Sequence, residues 1–204
     1  EELEMLARKK VKHLYLGIES GLDDVLKFMK KDHDLAQAYQ AIDRLHEAGL
    51  IYDAHIMTGV AGKGRGMENA EALAQFLNRT NPAHVVNFSM FLHKEVPLYQ
   101  DIRQGTFVPA DELETIREEY HLIERIAPEK AGANILYDGF HDFIHVRVRG
   151  HLPGDKEKML AKLNGIIQEY EGKEPVYSFV QGECPDLEYC DDGKAVWDMD
   201  RKTS

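Results

Sequence analysis

An apolar strand-like run, a glycine-rich turn and an amphipathic helix succeed one another in a repeating cycle through the first half of this chain. Val11 to Ile18 is the first run, ending in Gly17-Ile18-Glu19-Ser20-Gly21. Helical stretches follow at Asp23 to Lys30 and Leu35 to Ala48. The second carries Leu35, Ala38, Tyr39, Ala41, Ile42 and Leu45 on one stripe, with Gly49 as its stop. The cycle repeats with a strand at Tyr52 to Thr58, a loop from Gly59 to Gly66, and a helix at Glu68 to Asn78 that turns Ala70, Leu73, Ala74 and Leu77 inward. Asn81-Pro82 breaks the chain, and Val85 to Leu92 is a third strand. Helices between strands act as crossovers, and crossovers make the strands parallel. The expected fold class is α/β, with too few units to close an eight-stranded barrel and enough for part of one.

Beyond Pro97 the pattern changes. Leu113, Ile116, Tyr120, Ile123 and Ile126 mark a helix, and Gly132 to Tyr137 a short strand. Phe143 to Arg149 alternates Ile144, Val146 and Val148 with His145, Arg147 and Arg149, as a half-exposed strand does. A helix follows Pro153-Gly154-Asp155, with Met159, Leu160, Leu163, Ile166 and Ile167 inward; a strand near Val176 to Val180 and an irregular tail complete the chain. The expected division is residues 1–108 as a barrel portion and 109–204 as a helical and α/β extension.

The net charge of −11 argues against a general nucleic-acid binder, because phosphate binding needs clustered Lys and Arg. No apolar stretch approaches the length of a membrane span. Two cysteines make no disulfide scaffold and fit a reducing, cytoplasmic setting. Glu1 to Ala7 reads as the tail of an amphipathic helix, the expectation being a chain trimmed from something longer.

Lys12 to Gly21, followed at once by Leu22 to Lys31, resembles the fourth strand and next helix of radical S-adenosylmethionine (SAM) proteins. Ala41 to Gly59 is similar to that family's next helix and fifth strand, Asn87-Phe88-Ser89 to its sixth, and Val96 to Phe107 to the stretch beyond. The resemblance implies a partial (β/α) barrel fragment, about the last three βα units, with S-adenosylmethionine and a 4Fe-4S cluster as cofactors of the full-length protein. Family members bind the cluster through Cys-x3-Cys-x2-Cys. Here the only cysteines are Cys184 and Cys190. The resemblance places the cluster loop upstream of Glu1, in a missing N-terminal half that would be this chain's partner, so no cluster is expected here.

The resemblance also implies a share of the cofactor pocket. Glu19 and Ser20 stand at the first strand tip, where the family holds the methionine amino group or ribose; the plain alternative is a helix cap and a turn residue. Lys31, with Lys30 as the fallback, would meet the methionine carboxylate, or else it complements the helix dipole. His55 falls near the ribose and Met57 beside the adenine, although a structural histidine fits equally. Asn87 and Ser89 share a strand face near the adenine, or are ordinary strand polarity. All of these side chains are expected to converge on one mouth.

Other features read plainly. Gly59 to Gly66 fails the Walker spacing and becomes a loop near the adenine or a flexible turn. His141 and His145 would be about 13 Å apart on a strand, too far to share an ion, and read as exposed or pairing residues. Cys184 and Cys190 do not match zinc spacing and read as free. Arg147, Arg149 and His151 suit an anionic substrate or a solvated face. The rival reading is a non-catalytic α/β module binding a ligand or partner; a histidine-based metal hydrolase is a second. An uncovered inner barrel face and open strand edges predict self-association.

Overall fold

Side-chain alternation sets the layers in the computed structural model, which describes residues 2–179 and the backbone of 190–191 and 194–195. Along β2 (Ile51–Thr58), Tyr52, Ala54 and Ile56 enter the core, and Asp53, His55 and Met57 alternate to the other side. β1 (His13–Glu19) pairs with β2, β2 with β3 (His84–Ser89), and β3 with β4 (Ile135–His141), all parallel. β5 (Val146–Leu152) adds antiparallel to β4, giving a five-stranded sheet in the order β1-β2-β3-β4-β5.

Crossovers explain the parallel part. α2 (Asp23–Phe28) and α3 (Leu35–Glu47) connect β1 to β2, and α4 (Gly66–Thr80) connects β2 to β3. Asp34 starts α3 through a capping box with Gln37. α5 (Leu98–Gln104) and α6 (Glu112–Arg125) lead to β4, and Asp111 caps α6 by accepting from the Glu114 amide. Between β4 and β5 there is only a 3-10 turn, Asp142–Ile144, with His145 at φ 53. So short a link can only reverse the chain.

Ala38, Ile42, Leu73, Leu77, Ile116, Leu122, Met159 and Leu163 from α3, α4, α6 and α7 (Lys156–Tyr170) pack with Ile18, Ile56, Val85 and Val148 of the sheet in one core. α1 (Glu2–Arg8) lays Leu3, Leu6 and Ala7 against it. Each fully buried Leu or Ile contributes roughly 1.5–3 kcal/mol. Among the described residues the opposite sheet face stays open: Tyr15 is 53% exposed, and the Arg147 and Arg149 side chains are 51% and 54% exposed. A second apolar cluster, including Val25, Val60, Met90, Ile102 and Phe107, sits past the carboxyl ends of the strands.

The expected α/β class and parallel order are present, in a form consistent with a partial barrel. The chain beyond residue 108 continues the same sheet, because β4 pairs with β3 along its length. The strand expected at 132–137 runs from Ile135 to His141, and the one expected at 143–149 starts at Val146, after the 3-10 turn. α2 ends at Phe28 and Lys30 turns at φ 57. Of the strand expected at 176–180, residues 176–179 are described, and there Phe179 makes a single bridge to Leu92. β6 (Cys190–Asp191) and β7 (Lys194–Ala195) pair antiparallel. The state of the Cys184 and Cys190 thiols lies outside what is described. Among the described residues no helix is long and apolar enough to cross a membrane.

Candidate functional site at the strand tips

The end of β1 is bent so that two opposite charges meet. Pairing with β2 shifts register between Gly17 and Glu19, and Glu19 adopts φ 60. A Cβ on Gly17 would lie 2.6 Å from Glu19 Oε1 and 3.5 Å from Lys31 Nζ. Glycine at 17 therefore leaves the space into which the Glu19 carboxylate folds back, on the open face that Gly17 shares with His55. Lys31 comes from the turn after α2, and its Nζ donates to Glu19 Oε1 at 3.1 Å. Both side chains keep some exposure, 24% for Glu19 and 31% for Lys31. An ion pair at the surface is worth about 0–1 kcal/mol. A zwitterionic ligand could separate the two at little cost and satisfy each with its own opposite charge.

Further along this face, the His55 ring lies 5.0 Å from Tyr15 and 6.0 Å from Phe88. Met57 packs against the second apolar cluster and aligns with Phe88, which stacks on Phe140 at 5.5 Å. Arg147 covers Phe140 and donates twice to Asp138, at 2.8 and 2.7 Å. Asp138 thus already takes up much of the charge of this basic group.

Ser20, Asn87 and Ser89 do not join that face, which corrects the expectation of one shared mouth. Ser20 is fully buried, donates from Oγ to Asn69 Oδ1 at 2.7 Å and accepts from the Leu22 amide. Asn87 accepts from the Thr58 amide at 3.1 Å and donates to Glu119 Oε1 at 3.1 Å. Ser89 donates to Glu112. Alternation is the reason: Val85, Asn87 and Ser89 face α6, whereas Val86 and Phe88 face the open side.

Their partners form a buried polar network that sequence reasoning missed. Glu112, Thr115, Glu118 and Glu119 are all nearly inaccessible and share the inner side of α6 with Ile116, Leu122 and Ile123. His141 is also fully buried, so of its reading as an exposed or pairing residue only exposure is corrected. Its Nδ1 lies 3.1 Å from Glu112 Oε2 and its Nε2 3.0 Å from Glu119 Oε2. Both ring nitrogens facing carboxylates means an imidazolium donating twice. Burial opposes that charge, but the hydrogen bonds to Glu112 and Glu119 outweigh it and raise the pKa to about 10. Tyr137 donates to Glu119 Oε1 at 2.9 Å, and its own ionisation is pushed far up by burial and that neighbouring charge. The i, i+3, i+7 spacing of Glu112, Thr115 and Glu119 was the available signal, since it falls on the apolar stripe.

The glycine loop turns through Gly59, Gly62 and Gly64 at φ 82, 81 and 80, a region that favours glycine. It borders a cavity of about 370 Å³ lined by Asp24, Phe28, Val60, Lys63, Arg65 and Phe107. Arg65 is engaged by Asp24 and Glu68. Among the described residues no group of three or more His, Cys, Asp or Glu could hold a metal ion.

Comparison with known proteins agrees with this frame. Residues 1–77 match the radical SAM superfamily model. A tRNA uridine(34) acetyltransferase of Methanocaldococcus infernus is 25% identical over 117 residues, covering 57% of this chain and 22% of that protein. The solved archaeal Methanocaldococcus infernus Elp3 with an N-terminal deletion (1-46) superposes with a TM-score of 0.60 at 18% identity, over 82% of this chain and 38% of that one. The chain spans about a fifth of the length of the curated relative it matches, and the structural likeness carries the fold alone. The segment that matches the superfamily model holds α1, β1, α2, α3, β2 and most of α4.

Proposed function

We propose that this chain forms one wall of an S-adenosylmethionine pocket, with Glu19 receiving the α-amino group of the methionine moiety and Lys31 its α-carboxylate. One observation carries this reading: the two charges stand 3.1 Å apart, partly exposed, on the open face and inside the segment that matches the superfamily. A carboxylate and an ammonium at that separation complement an α-amino acid zwitterion. His55 offers a ring nitrogen to the ribose and Met57 an apolar contact toward the adenine. Ser20 serves the pocket only indirectly, by shaping the turn after β1. In the superfamily the bound cofactor supplies a 5′-deoxyadenosyl radical that removes hydrogen from a substrate. The 4Fe-4S cluster finds no thiolate triad in this sequence, whose only cysteines are Cys184 and Cys190.

The likeness to a tRNA uridine(34) acetyltransferase supports a parent protein of that kind, with this chain on the cofactor side. A net charge of −11 suits that share better than a phosphate-binding surface. The open face around Tyr15, Phe88 and Phe140, with the edge of β1 beside it, is where the rest of a radical SAM barrel would pack. Left uncovered, it favours association of one copy with another.

Calorimetry with S-adenosylmethionine and methylthioadenosine tests the reading. Both should bind, with S-adenosylmethionine the tighter because only it carries the zwitterion. Equal affinities, or no binding of either, would remove the proposed role of Glu19 and Lys31.

A further inference from the structure

A single carboxylate ties together the two loops that flank the strand tips. Glu118 of α6 is 1% exposed. Its Oε2 accepts from the Gly59 amide at 2.8 Å, at the start of the glycine loop, and its Oε1 accepts from Asn69 Nδ2 at 2.7 Å. Asn69 Oδ1 in turn accepts from Ser20 Oγ at 2.7 Å and the Gly21 amide at 3.1 Å, in the turn that carries Glu19. A Cβ at Gly66 would approach Glu118 Oε2 to 2.9 Å, so the start of α4 is shaped to this group as well.

We propose that Glu118 is a positioning residue: when ionised it holds the Ser20-Gly21 turn and the loop beginning at Gly59 in one arrangement, and taking up a proton releases one of them. The hydrogen-bond inventory gives the reason. A carboxylate accepts at both oxygens, whereas a carboxylic acid must donate from one. Both Glu118 oxygens face N–H donors. Asn69 cannot turn its amide over without losing Ser20 and Gly21.

Burial pushes the Glu118 carboxyl up to about 7, against the hydrogen bonds from Asn69 and Gly59 that favour its charge. The charges of Glu114 on the same helix and His141 on β4 act on it in opposite directions, the first raising and the second lowering its pKa. Tyr137 on β4 also feels its charge, and Glu119 lies beside both. The release therefore falls at neutral pH. The functional consequence, a cofactor site whose geometry follows pH, rests on the reading of the strand tips as an S-adenosylmethionine pocket.

Proton–nitrogen correlation spectra of the labelled chain, taken from about pH 5 to 9, decide it without any ligand. The Gly59 and Gly21 amide resonances should titrate together with a shared midpoint near 7, and in Glu118→Gln both titrations should vanish. Should the variant fail to fold, the shared midpoint in the native chain is itself the test. Gly59 titrating while Gly21 stays still, or either titration surviving in Glu118→Gln, would overturn the coupling. A chain that shows the shared titration yet binds no S-adenosylmethionine would keep Glu118 in this role and lose only the cofactor reading.

Discussion

His141 Nε2 lies 3.0 Å from Glu119 Oε2, and neither side chain exposes any surface. With Glu112 on its other nitrogen, this imidazolium is the charge that lets α6 bring two carboxylates into the core. Removing one partner of such a group leaves uncompensated charge. His141→Ala should cost about 3–5 kcal/mol, measured by urea denaturation near neutral pH. A loss under about 1 kcal/mol, the range of an exposed pair, would contradict the geometry.

Stability should fall as pH rises, in two stages. Glu118 binds its proton more tightly folded, at about 7, than unfolded, near ~4.3. Its contribution is complete below the unfolded value and is lost by the folded one. His141 is raised to about 10 from an unfolded value near ~6.5, so its contribution is complete below that value and is lost as pH climbs through 10. Denaturation midpoints across this range should show Glu118→Gln flattening the first stage and His141→Gln the second.

Two glycines should answer oppositely to alanine. A Cβ at Gly139 would sit 1.8 Å from Glu119 Oε1, so Gly139→Ala must displace the network and should cost roughly 1–3 kcal/mol or more. Gly165 lies within α7, and among the described residues nothing comes within 4 Å of its Cβ position. Gly165→Ala should stabilise by up to about 1 kcal/mol. Thermal unfolding of the two variants tests the pair.

The open face predicts association. Sedimentation over a range of concentrations should show mass growing with concentration, and Tyr15→Lys, which charges the exposed edge strand, should shift the chain toward monomer. A clean monomer throughout would contradict this.

The elements from β1 to β3 were legible because their apolar residues follow clean periods, as in the stripe of α3. The strand faces were less so. In β3, Val85, Val86 and Phe88 surround Asn87, so both faces read as apolar and the parity that sends Asn87 toward α6 does not stand out. The buried side of α6 was hidden for another reason: Glu112, Glu118 and Glu119 look like solvent-facing residues until the β4 histidine that neutralises two of them is in place. Glu19 and Lys31 were found through the resemblance, while their meeting depends on the positive φ values of Glu19 and Lys30, which no local pattern announces.

The most direct measurement is the affinity of S-adenosylmethionine for the chain and for Glu19→Gln and Lys31→Met, beside methylthioadenosine as a ligand without the amino acid moiety. Each lost charge-assisted hydrogen bond is worth about 1.5–3 kcal/mol. S-adenosylmethionine binding should weaken about tenfold or more in each variant, with methylthioadenosine binding unchanged. Variants that bind S-adenosylmethionine as the native chain does would show that the pair serves only itself.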